Sequence, residues 1–180
     1  MKALSNIKQF DWNGVAQNPP FIVVRYLEEA LACLKSEAFR MSVVASACAL
    51  NYGLFFVLRQ RVHLISEGRM FSLYEVIEEI KKYISKDPNT VLSEIPLAKC
   101  EKVNHFRNAF AHPEDYLILK PSSKPNVFTL KPKFNTPKDK EEAFIASQYH
   151  SKKKLKAMAE ESLEVAYNSI REALKKFLLP

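Results

Sequence analysis

The run from Met41 to Leu58, bounded by Arg40 and Arg59, constrains the fold more than any other part of the chain. Its length just reaches the roughly 18 apolar residues that a membrane span requires. Ser42, Ser46, Asn51 and Gly53 interrupt it, however, and amphipathic segments lie on both sides. A central helix buried on most sides is the better account, and such a helix needs partners all around it. The expected fold is therefore all-α: a single domain over residues 1–180, built as an up-and-down bundle of four to five helices. Met1 to Trp12 contains no continuous apolar stretch that would serve as a signal-peptide core. The chain is expected to be a cytoplasmic protein with no membrane partner.

The partners of the central helix are legible from periodicity. Pro19 and Pro20 open a helix from about Phe21, in which Ile22, Val23, Tyr26, Leu27, Ala30, Leu31 and Leu34 recur at three- and four-residue steps. The central helix itself is expected from about Glu37 to Ser66, stopping near Gly68. Ser72 followed three residues later by Glu75 has the form of a capping box, and the helix it starts runs to Lys86 before Pro88. A short helical turn is expected at Asn89 to Glu94. Pro96 then begins a fourth helix that ends at Ala111 or His112, because Pro113 disfavours helical geometry in the residue before it. Between about 114 and 140 the pattern changes to two short apolar runs, Tyr116 to Leu119 and Val127 to Leu130, which read as a small β-hairpin or extended loop. A last amphipathic helix from about Lys140 to Leu178 closes the bundle. Three glycines against ten prolines, most of the latter after position 112, agree with helices first and an irregular insertion later.

The formal net charge of +7 is compatible with a polyanionic partner without requiring one. Lys120, Lys124, Lys131, Lys133, Lys138 and Lys140 crowd the insertion, and Lys152 to Lys154 with Lys156 add a second cluster. From charge alone a solvated loop and helix face is the simpler account. Cys33, Cys48 and Cys100 form no paired spacing, which fits a reducing compartment. No histidine lies at metal-ligand spacing from any of them, so neither a metal nor another cofactor is expected.

The segment His105-Phe106-Arg107-Asn108-Ala109-Phe110-Ala111-His112-Pro113 carries the chemistry. Arg107 and His112 are five residues apart, roughly 140° around an ideal helix, but arginine is long and the helix is expected to unwind at Pro113. Both heads can then approach one phosphate. His105 lies on another face and reads as structural, and His63 and His150 as surface or boundary residues.

Arg107, Asn108 and His112, at the end of an apolar helix in a small helical chain, resemble the HEPN superfamily, whose pattern is Arg, four to six residues, then His, often with Asn after the Arg. The resemblance extends over roughly Phe21 to Pro113 and the last helix. It implies an endoribonuclease that needs no metal, with two motifs facing each other across a homodimer. Its products would be a 2′,3′-cyclic phosphate and a 5′-hydroxyl, and its setting a toxin, defence or stress system, with an antitoxin or other neighbouring-gene product as possible partner. In that role imidazole transfers protons near neutral pH and guanidinium stabilises phosphate oxygens bidentately. Asn108 would hold a phosphate or orient the pair. Lys120, Lys124, Lys131, Lys133 and Lys138 would help to position RNA. The second reading is a non-catalytic HEPN module for dimerisation and for binding a partner, RNA or a nucleotide. The toxin subfamily usually has Tyr two residues after the His, whereas Pro113-Glu114 follows here and the first tyrosine is Tyr116. Many members also carry an acidic residue in the second helix, where this chain has Asn51. That side chain has two open readings, facing the site or sitting in the core as a satisfied amide.

Overall fold

A computed structural model of the chain describes residues 10–62, 71–111, 117–119, 128–130 and 151–175. Five α-helices make up most of them: α1 (Phe21–Lys35), α2 (Phe39–Val62), α3 (Leu73–Lys86), α4 (Leu97–Ala111) and α5 (Lys152–Lys175). The fold class is all-α. Two three-residue strands, β1 (Leu117–Leu119) and β2 (Phe128–Leu130), pair antiparallel with Ile118 opposite Thr129. The rest of the expected insertion, and the part of the last helix expected between Lys140 and His150, lie outside the described residues.

Helix α2 is the hub and packs against each of the other four helices. It is long and apolar enough to cross a membrane, yet 61% of its most apolar window is buried within the protein. Val43, Leu50, Leu54 and Val57 are fully enclosed, facing Val23 and Leu27 of α1, Ile77 and Ile80 of α3, and Leu163, Ile170 and Leu174 of α5. The hydroxyls in the apolar run are tolerated because they find acceptors: Ser42 Oγ donates to the Ala30 carbonyl (2.8 Å) and Ser46 Oγ to the Ser42 carbonyl (2.7 Å).

Most helix ends follow local rules. Ser72 and Glu75 form both halves of the capping box. Thr90 caps a 3₁₀ turn at Val91–Glu94, and Pro96 precedes α4. Helix α2 starts two residues later than expected because Glu37 adopts a left-handed φ of 61° and reverses the chain after α1. Helix α5 starts at Lys152, not near Lys140, since Ser151 is non-helical and its hydroxyl accepts the Lys154 N–H (3.4 Å) as an N-cap.

The lead before α1 packs on α5, which the sequence reading did not anticipate. Phe10 is buried, Phe10 and Trp12 both contact the Tyr167 ring, and the Tyr167 hydroxyl donates to the Asp11 carbonyl. Further along, the Ala16 N–H donates to the Leu174 carbonyl (3.0 Å) and Arg171 to that of Asn13 (3.2 Å). This strap covers a stripe of α5 that would otherwise meet water.

Candidate functional site

Helix α4 divides its side chains between two jobs. Cys100, Val103, Phe106, Ala109 and Phe110 are buried among the other helices. Asn104, Arg107 and Asn108, related by steps of three and four residues, share another face. Opposite this polar stripe lie Ala47, Cys48 and Asn51 of α2, and beside it the start of α3 at Ser72, Leu73 and Tyr74. Together these residues line a cleft of about 300 Å³, at the small end of ligand-binding cavities.

Among the described residues, the lining contains one guanidinium, three carboxamides and no carboxylate. The carboxylate next in line, Glu75, is taken up by the Ser72 N–H and hydroxyl at 2.8 and 2.9 Å. Arg107 Nη1 donates to Asn108 Oδ1 at 2.9 Å, which steers the half-buried guanidinium from its own helix. Asn51 Nδ2 donates to the Phe71 carbonyl at 3.1 Å, whereas its buried Oδ1 has no hydrogen-bond partner among the described residues. Burial pushes the Cys48 thiol up, and the positive charge of nearby Arg107 draws it part of the way back. A cation in a confined cleft without a lining carboxylate attracts anions, and the guanidinium fork matches phosphate oxygens.

The structure thus brings Arg107 and Asn108 together with Asn51. His112 follows the last helical residue of α4 in the chain and lies outside the described residues, as do Lys120, Lys124, Lys131, Lys133 and Lys138. His105 is half-buried and is not part of the cleft wall. Asn104, Cys48, Ser72 and Tyr74 are cleft residues that sequence reasoning missed. The Asn104, Arg107, Asn108 spacing carried the signal for the first of them, since it marks one helix face. The other three depend on the α2–α3–α4 packing.

Two wider depressions carry carboxylates as well as cations. One, of about 610 Å³, joins the start of α2 to the start of α5 and holds Arg40 beside Glu37 and Lys152, which pair at 2.5 Å. The other, of about 420 Å³, runs along α5 and presents Glu160, Glu161 and Glu164, a poor surface for a polyanion. No family model matches the chain, and neither a curated protein nor a solved structure is similar to it.

Proposed function

We propose that the chain is a metal-independent endoribonuclease of the HEPN type, with an HEPN-like bundle interrupted by a hairpin insertion at about 114–140. The observation that carries this reading is the cleft in which Arg107, steered by Asn108, is the one cation among the neutral polar groups of the described residues, five residues ahead of His112 in the sequence. In the reaction, the ribose 2′-hydroxyl gives up its proton and O2′ bonds to the adjacent phosphorus. The bond from phosphorus to the 5′ oxygen breaks, and that oxygen takes a proton. The products are a 2′,3′-cyclic phosphate and a 5′-hydroxyl. Arg107 stabilises the added charge on the phosphorane oxygens, His112 handles protons near neutral pH, and Asn108 keeps the guanidinium in place. Lys120, Lys124, Lys131, Lys133 and Lys138 supply the longer-range attraction for RNA.

Purified protein should cut single-stranded RNA in EDTA and leave cyclic phosphate ends. Arg107→Ala and His112→Ala should each lower the rate by at least about a hundredfold, the scale of losing one positioned acid-base or charge-stabilising group. Their helical circular dichroism should be unchanged. Cleavage that survives both substitutions would remove the assigned site. RNA or partner binding without cleavage would favour the non-catalytic module.

A further inference from the structure

We propose that Asn104 reads a base: its carboxamide bonds the polar edge of one unpaired nucleobase in the strand whose phosphate Arg107 holds. The inference rests on the ribonuclease reading above and adds to it a pocket for a base. Its starting point is an unused side chain. Asn104 is only 6% exposed, and among the described residues its carboxamide has no hydrogen-bond partner. Native structures leave few buried polar groups unmet, because burial without a partner costs stability. The unpartnered atoms that are sealed from solvent belong to Asn51, Ser162 and Arg171, and none belongs to Asn104. The carboxamide of Asn104 is therefore set into the cleft wall with its polar atoms open to the interior.

The neighbours of Asn104 limit what can meet it. Arg107 and Asn108 follow three and four residues later on α4, so the three side chains share one face, about one helical turn apart. Arg107 takes the phosphate, and Asn108 Oδ1 already accepts from Arg107 Nη1. Asn104 adds two N–H donors on Nδ2 and an acceptor in Oδ1. A phosphodiester has acceptors alone and would leave that Oδ1 unmet. A nucleobase carries a donor and an acceptor side by side on its edge, the pattern that a carboxamide matches with two bonds. Ala47, Leu73 and Tyr74 line the same cleft and give the base an apolar surface. A base enclosed there has left its stack, so the strand is unpaired at that point, which is how proteins read the sequence of single-stranded RNA. Asn104 is a specificity-determining residue in this assignment, holding the base and moving no proton.

The test uses His112→Ala protein, so that the RNA persists, and a short single-stranded RNA containing all four bases. An apolar base of the same shape, without donors or acceptors, replaces one natural base at a time and leaves sugar and phosphate unchanged. Binding followed by fluorescence anisotropy should weaken about five- to a hundredfold at one position and little elsewhere, the scale of one bidentate contact between a carboxamide and a base. In Asn104→Leu protein the natural strand should bind more weakly, and that position should no longer stand out. Asn104→Ala, which adds no bulk to the wall, gives the same comparison where Asn104→Leu does not fold. A position that still stands out without the carboxamide would overturn the role of Asn104. A flat scan with Arg107-dependent RNA binding would overturn the base pocket alone and give the carboxamide to bound water. No RNA binding, or binding indifferent to Arg107→Ala, would overturn the ribonuclease reading and this inference with it.

Discussion

Among single residues, the three cysteines make the sharpest comparison, because they share one chemistry and differ in surroundings. Cys100 is fully enclosed, with Sγ 3.5 Å from Ser169 Oγ, and burial raises its pKa to about 11. Cys33 and Cys48 are only partly covered. At pH 8 a thiol reagent should modify Cys33 readily and Cys48 more slowly, and reach Cys100 only after denaturation; native labelling of Cys100 would contradict its packing. The same shift has a sign in stability. The unfolded thiol ionises near 9 and the folded one near 11, so the stabilisation from keeping Cys100 neutral is complete below about pH 9 and is lost as pH rises through 11. Chemical denaturation of Cys100→Ala should show a shallower alkaline decline, by about 1–3 kcal/mol across that window, whatever its offset at neutral pH. Legibility at this scale was uneven. Arg107 and Asn108 were readable because their chemistry is unusual at a helix end. Asn51 was not resolved by the sequence, since Ser42 and Ser46 interrupt the same apolar run and are plain core hydroxyls bonded to backbone carbonyls. Asn51 turns out to share in both readings: the residue lines the cleft, its Nδ2 is bonded to backbone, and its Oδ1 is buried without a partner among the described residues.

Between elements, the closest approach with a testable consequence is that of α2 and α5 at Gly53. A Cβ at this position would meet Ile170 Cγ1 at 2.6 Å, Cδ1 at 2.9 Å and Cγ2 at 3.1 Å, and Ile170 is itself fully buried. Gly53→Ala gains about 0.8–1.0 kcal/mol of helix propensity but overpacks the core by about 1–3 kcal/mol. The net result should be destabilisation by up to about 2 kcal/mol in urea denaturation. In an Ile170→Ala background the obstructing atoms are gone, so Gly53→Ala should become neutral or stabilising; additive losses in the double-mutant cycle would show that the two helices do not meet there. Helix starts and stops were legible where the signal is local. The Ser72–Glu75 box and Pro96 placed α3 and α4 because capping involves residues one turn apart. The break at Ser151, where its hydroxyl caps the helix that follows, was not anticipated, because a serine inside an amphipathic run signals an N-cap only weakly. The strap of Phe10 to Ala16 on α5 was hidden for another reason: Tyr167, Arg171 and Leu174, which hold it, are more than a hundred residues away in the chain.

At the scale of the whole molecule, one arginine and one histidine are a thin set for moving two protons and stabilising a phosphorane, and a two-fold contact doubles the set without lengthening the chain. The apolar residues of the first two helices are the first place to look for such a contact surface. Most of them are consumed by the core, and the large hydrophobic side chains left exposed among the described residues are Phe21, Ile22, Met41 and Tyr74. Tyr74 is the one that also lines the cleft, and 49% of its surface is exposed at the start of α3. If the motifs of two chains face each other, Tyr74 lies in the contact, and tyrosine is a residue type on which such contacts depend heavily. The protein should sediment as a dimer at micromolar concentration. Tyr74→Lys should move it towards monomer and lower cleavage in parallel, while Met41→Lys, away from the cleft, should do neither. Mixing inactive Arg107→Ala with inactive His112→Ala protein should restore part of the activity as heterodimers form, provided that one site draws its arginine and its histidine from different chains. A fully active monomer, or a dimer indifferent to Tyr74→Lys, would place the two motifs apart and require each cleft to work with the groups of its own chain.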